Sequence, residues 1–246
     1  MQPTDTDGTL AERLLQIAHD LPRQRLTRIT HDGQSYFVKT PELHASLRWR
    51  LQKGDPEAAF ARELALLRSF AARGAAVARI VAADDGYMIL ADHGAPLQWC
   101  VFRAQADAAL MQRLGAALAK LHALGLAHGR PSLRDICWNG ADLTFLDLEA
   151  GAKLQANAQD QARDLFLVLH SVFHSDGAES ALAKPVLTGY RAAGNVAVWQ
   201  ALVARSRQLW WLEALARPLA MADRIRGKKR SEFAAIGATR RLIARA

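Results

Sequence analysis

The sequence predicts an α+β fold in two lobes: a small antiparallel-sheet lobe with one helix (residues 1–93), then a mainly helical lobe (94–246). Three observations carry this expectation. β-rich runs cluster early in the chain. Asp32-Gly33, Asp85-Gly86 and Asn139-Gly140 stand between pairs of such runs, as hairpin turns do. From Pro96 onward, apolar residues recur at helical spacing instead of alternating.

Taken in order, Thr9 to Ile17 reads as a short helix with Leu10, Leu14 and Ile17 on one side, closed by Pro22. Leu26–Ile29 and Tyr36–Val38 are expected strands around Asp32-Gly33, a dipeptide that favours the type I′ turn, and Lys39 closes the second. Arg48 to Asp55 is a basic linker. Asp55-Pro56 supplies an N-cap and a first-turn proline. In the helix that follows, Phe60, Leu64, Leu67 and Ala71 make an apolar stripe. Glu63 and Glu57 flank it on opposite sides, so spacing alone does not choose between them. Val77–Ala82 and Tyr87–Leu90 are expected to form a second hairpin, and Ala91 to Gly94 a linker. Leu110, Leu114, Leu118 and Leu121 mark a helix ending near Gly125. Residues 126–149 form a loop and a third hairpin, with strands Ile136–Trp138 and Leu143–Leu146. Leu165, Phe166, Leu169, Val172 and Phe173 mark a buried helix. Further helices are expected over Ala181–Tyr190, Val196–Ala204 and Gln208–Asp223.

Half of the 246 residues are apolar, enough for a sizeable core. Cys100 and Cys137 lie far apart and suggest neither a disulfide framework nor a zinc site, which fits a reducing, cytoplasmic setting. The N-terminus reads as no signal peptide and no stretch reads as a membrane span. The net charge is +8. Residues 217–246 hold nine basic residues against two acidic ones, so the body is nearly neutral and no specific nucleic-acid partner is expected.

A hairpin brings its open ends together, so Asp135 and Asp147 are expected to stand close. Paired carboxylates favour a cation between them, and hard oxygen ligands suit Mg²⁺; solvated strand ends are the plainer alternative. Lys39 on a strand with Glu63 on the next helix would form a fixed cation for nucleotide phosphates; taken alone, Lys39 is an ordinary surface lysine.

The order of these features (hairpin ending in lysine, helix with glutamate, hairpin, linker, leucine-striped helix, histidine loop, hairpin, aspartate) resembles the protein-kinase fold from about Leu26 to Phe173. LAKLHALGLAHGRPSLRDICWNGADLTFLDLE is similar to the bacterial lipopolysaccharide-kinase group, relatives of the Kdo and heptose kinases, which carry D-x-E where other kinases have D-F-G. The resemblance implies ATP and Mg²⁺ as cofactors. It makes Lys39 the lysine that contacts phosphate and Glu63 its partner. Leu90 to Gly94, with Leu90 and Asp92 as binding residues, becomes the adenine hinge, and His128 the start of the catalytic loop. Asp135, Asp147 and Glu149 become the metal side, and Asp164 the acid that braces the loop.

The chain departs from that pattern twice. No glycine-rich loop precedes Lys39, and Arg130 stands where the catalytic-loop aspartate belongs. An arginine stays protonated and cannot accept the acceptor's proton. Three outcomes remain open: binding of ATP and Mg²⁺ without transfer, transfer with Asp135 or Glu149 orienting the acceptor, or an anionic sugar lipid held by Arg130. The expected function is phosphotransfer to a sugar or lipid-linked sugar hydroxyl, such as a lipopolysaccharide core, with Arg130, His128 and Asp135 at the catalytic position. A nucleotide-binding regulatory pseudokinase is the alternative, and a membrane-binding protein with a decayed site a third reading.

His122 reads as a helix-surface residue, His170 and His174 as core-edge residues, and Trp210-Trp211 as packing. In the tail, Leu215, Leu219, Phe233, Ile236, Leu242 and Ile243 interleave the charges. That pattern fits either a solvated helix end or attachment to the anionic inner face of the inner membrane.

Overall fold

The computed structural model describes residues 9–42, 55–148 and 151–246. Most of the expected basic linker and the whole of Glu149 fall outside them. The first hairpin joins β1 (Leu26–His31) to β2 (Gln34–Lys39). Its turn has positive φ at both Asp32 (49°) and Gly33 (74°), the requirement of a type I′ turn, which Asp and Gly meet with least strain. β3 (Ile80–Asp84) and β4 (Tyr87–Ala91) form the second hairpin. The four strands make one antiparallel sheet in the order β1-β2-β4-β3.

Strand alternation sorts this sheet's two faces. Tyr36, Val38, Tyr87 and Ile89 point one way and bury Leu14 and Ala18 of α1 (Leu10–Asp20) beneath them. Lys39 and Met88, one residue out of phase, face the other way, toward α2 (Pro56–Ala72). Asp55 caps α2, accepting from Ala58 N, and Pro56 begins it. The buried stripe of α2 is Phe60, Glu63, Leu67 and Phe70, with Leu64 partly buried and Ala71 exposed. The expected stripe is thus rotated by about one residue. A glutamate sits at its centre because its partner is a lysine on the facing sheet.

α2 and the segment after it are fastened to the second half of the chain. The Arg73 guanidinium donates to the carbonyls of Leu124 and Leu154. Phe145 exchanges backbone hydrogen bonds with Ala76 (2.8 Å) and Ala78 (3.1 Å). Phe145 lies on β7 (Leu143–Phe145), which pairs with β6 (Ile136–Trp138), and β6 with β5 (Ala95–Pro96). The loop between β6 and β7 is longer than a two-residue I′ turn. Asn139 Oδ1 accepts from the amides of Ala141 (2.9 Å) and Asp142 (2.7 Å), and this side-chain cap shapes the turn.

The helical part comprises α3 (Leu97–Phe102), α4 (Ala108–Ala123), α5 (Ala158–Asp176), α6 (Ala183–Ala193), α7 (Val196–Gln208), α8 (Trp210–Ile225) and α9 (Glu232–Arg245). All four leucines of the α4 stripe are buried, as are the five apolar residues that marked α5. α4 packs on α6, and α5 on α7 and α9. Among the described residues no helix is long and apolar enough to cross a membrane.

Three expectations are corrected here. His122 is not on the helix surface: it is buried, with Nδ1 2.7 Å from the Tyr190 hydroxyl. The tail is not one interfacial segment, because α9 turns Ala235, Ala238 and Ile243 into the core. Trp210 and Trp211 are not core packing residues; they are 64% and 49% exposed.

Candidate functional site

A cleft of about 600 Å³ opens between the first sheet and the β6–β7 hairpin. Its apolar wall includes Leu26, Phe37, Ala78, Leu90, Pro96 and Leu146. Its polar wall contains Lys39, Glu63, His128, Arg130, Asp135 and Asp147, which are six of the residues singled out in the sequence. Such a slot, greasy on one side with a few converging charges on the other, is the ordinary form of a small-molecule site.

Lys39 is the centre of the polar wall. Its Nζ lies 2.5 Å from Glu63 Oε1 and 2.7 Å from Asp147 Oδ1. Glu63, not Glu57, is the helix partner: Glu57 is exposed one turn and a half earlier. Burial alone would make the Lys39 ammonium easier to discharge, but the two carboxylates override it and hold its pKa above the ordinary value. Burial likewise pushes the Asp147 carboxyl up. The charge and hydrogen bond of Lys39, with smaller help from Arg25 and His128, override that and hold it below its ordinary value. Asp147 also adopts φ 57°, a left-handed conformation uncommon outside glycine and concentrated at functional sites.

The hairpin does bring its ends together. Leu146 N donates to Asp135 O at 2.7 Å, closing the open end, and the carboxylates of Asp135 and Asp147 line the same cleft. Asp135 is buried and accepts from Ser132 Oγ at 2.6 Å, with Arg134 Nε at 3.5 Å. Among the described residues no three His, Cys, Asp or Glu side chains gather as a metal-binding group.

The loop carrying Arg130 is braced from beneath by Asp164 of α5, which is fully buried. Its two oxygens accept from His128 N (2.6 Å) and Gly129 N (2.9 Å). His128 Nε2 donates to Leu146 O at 2.7 Å, so this ring ties the loop to the end of the hairpin. Arg130 itself is exposed in the cleft and forms no ion pair with any described residue.

At the other end, Leu90 lines the cleft, but Asp92 does not. The Asp92 carboxylate is occupied by Arg28 Nη2 at 3.0 Å and Gly94 N at 2.9 Å, so it shapes the linker from outside. His93 accepts from Arg79 N at 2.9 Å. Burial and the nearby Arg79 lower its pKa, leaving it neutral at neutral pH. The sequence reading missed Arg25, Arg134 and Cys137, which also line the cleft. Arg25 belongs to no motif and the quoted stretch gives Arg134 no role, and burial raises the Cys137 pKa to about 12, so it is an unreactive wall.

No protein-family model matches the chain. An uncharacterised protein of Haemophilus influenzae is 26% identical over 209 residues, covering 82% of this chain and 86% of the relative. Among solved structures, the chain is similar to one described as a divergent kinase lacking the glycine-rich loop, which regulates membrane ultrastructure of the Toxoplasma parasitophorous vacuole. The identity is 16%, the coverage 72% of each chain, and the TM-score 0.44.

Proposed function

We propose that the chain is a kinase-like protein that takes ATP and Mg²⁺ into this cleft and passes the terminal phosphoryl group to a hydroxyl of a sugar or lipid-linked sugar. The observation that carries the reading is Lys39, held by Glu63 and Asp147 at the cleft wall. A partly buried cation fixed by two carboxylates serves to hold and orient phosphate, and phosphoryl transfer depends mainly on positioning and charge.

The donor set fits Mg²⁺. That ion takes one or two carboxylates and leaves its other positions to phosphate and water, and Asp135 and Asp147 are such a pair. When bound, the ion would neutralise charge developing on the phosphates. Leu90, Phe37 and their apolar neighbours offer a slot for the adenine. Transfer forms a bond from the acceptor oxygen to phosphorus, breaks the bond to the bridging oxygen, and releases ADP and the hydroxyl proton. Arg130 cannot take that proton, which passes to solvent water, and Asp135 serves to hold the ion and to orient the acceptor hydroxyl. Arg130, exposed and without a described partner, suits the anionic group of an acidic or phosphorylated acceptor.

The second reading is a nucleotide-binding pseudokinase, favoured by the same arginine at the catalytic-loop position. Thermal denaturation with ATP and Mg²⁺ tests both. Ligand at a hundredfold over its Kd adds about 2.7 kcal/mol. For a chain of this size that means a rise of roughly 5–10 °C in Tm. No rise at saturating nucleotide overturns both readings. A rise accompanied by ATP turnover that Asp147→Asn abolishes supports the transferase, and a rise without turnover leaves the pseudokinase.

A further inference from the structure

Helix α8 is amphipathic in the wrong sense for a core helix. At about 100° per residue, Trp210, Met221, Ala214, Ile225, Pro218, Trp211, Ala222, Leu215 and Leu219 fall within one half of its circumference, and that half holds no charged residue. This apolar half faces solvent: Ile225 is 76% exposed, Leu215 65%, Met221 56% and Leu219 49%. Ala216 and Asp223, from the other half, are the buried positions. A contiguous apolar face of this size on an exposed helix marks an interaction surface.

We propose that this face lies in the headgroup region of an anionic bilayer, with α8 parallel to the membrane plane. The charge pattern selects that occupant. Arg217 and Arg224 run along one margin of the apolar half, and Arg226 and Lys229 follow at its C-terminal end; all four are exposed. The two acids of α8 itself are neutralised. Glu213 is paired with Arg240 and Arg241, and Asp223 is buried against Ser231 Oγ (2.7 Å) and Lys228 Nζ (3.3 Å). The two exposed tryptophans stand at the helix start, and residues with an apolar body and a polar edge anchor at the membrane interface. A second copy docked antiparallel through the same face would bring the two arginine margins together and repel. The surface differs from the attachment expected of the tail as a whole, because α9 faces the core. It does not depend on the nucleotide reading.

The test is sedimentation of the full chain with phosphatidylcholine vesicles and with equimolar phosphatidylcholine–phosphatidylglycerol vesicles. Binding is expected to the anionic vesicles, to weaken as salt rises, and to be slight with phosphatidylcholine alone. The Leu215→Glu/Ile225→Glu double variant alters only exposed positions. It is expected to keep the parental Tm while losing roughly tenfold or more in vesicle affinity. Arg217→Glu/Arg224→Glu is expected to lose the preference for anionic lipid. Absence of binding to anionic vesicles, or binding unchanged in the double variant, overturns the proposal. So does lipid-free self-association in analytical ultracentrifugation that the double variant abolishes.

Discussion

Replacing Lys39 with methionine keeps the length of the side chain and removes the charge shared by Glu63 and Asp147. Both carboxylate oxygens touch the same Nζ, so they lie at most roughly 5 Å apart. Two like charges at that distance repel by about 3 kcal/mol at an effective dielectric constant near 20. The Asp147 side chain is 39% exposed and can turn partly into the cleft, which relieves some of this. The expected loss is therefore about 2 kcal/mol near pH 7.5, or roughly 4–8 °C in Tm. The sign of the pH dependence is specific. In the parent protein the depressed Asp147 carboxyl stabilises the fold fully above its ordinary value of 3.8, and that contribution is lost only as pH falls through the lower folded value. In the variant the two carboxylates repel, so one of them has a raised pKa and gains a proton on mild acidification. The deficit should be largest at pH 7.5 and shrink toward pH 5. Melting curves followed by circular dichroism at both pH values decide it. A deficit of equal size at both, or none at either, would refute the electrostatic account of this site.

Asp164→Ala removes the acceptor of two buried amides, His128 N and Gly129 N. It should cost about 3 kcal/mol in urea unfolding, and an unchanged midpoint would show that the loop is held by something else. Arg130→Ala should shift that midpoint by less than about 0.5 kcal/mol, because the side chain is exposed and unpaired among the described residues. Gly94→Ala should destabilise by about 2 kcal/mol or more: Gly94 has φ 86°, and a Cβ there would stand 2.3 Å from Trp138 O. Iodoacetamide at pH 8 should leave Cys137 unmodified in the native chain and modify it in urea; native labelling would contradict its raised pKa.

Much of the fold was readable because its turns carry their own chemistry. Asp32-Gly33 named a type I′ hairpin, Asp55-Pro56 a helix start, and the α4 leucines a buried face. The pairing of Lys39 with Glu63 was readable only through the order of elements. Apolar periodicity in α2 put the stripe through Leu64 and Ala71 and left the glutamate at its flank, because a count of apolar residues has no place for a buried charge whose partner lies on another element. Asn139-Gly140 located the third hairpin but not its turn, since the asparagine side chain caps two amides in place of adopting the I′ backbone. Asp92 belonged to the linker in the sequence, yet only coordinates reveal Arg28 beside it. Nor does periodicity say which side of an amphipathic helix faces inward. α8 has a clean apolar half, and nothing local records that it points outward.

The fastening of α2 has a consequence for how the protein can be controlled. With Arg73 holding the carbonyls of Leu124 and Leu154, and Ala76 and Ala78 joined to Phe145, the C-terminal end of the helix that carries Glu63 is tied to the chain on both sides of Asp147. An on–off switch that works by rotating that helix would have to break four hydrogen bonds across this seam, the two of Phe145 with Ala76 and Ala78 and the two of Arg73, besides the Lys39–Glu63 contact between α2 and β2. The ordering cost of setting lysine against glutamate is thus met when the chain folds, and a ligand meets the charged wall already assembled. Entry into the cleft, and not the assembly of its charged wall, is then the step a ligand has to accomplish.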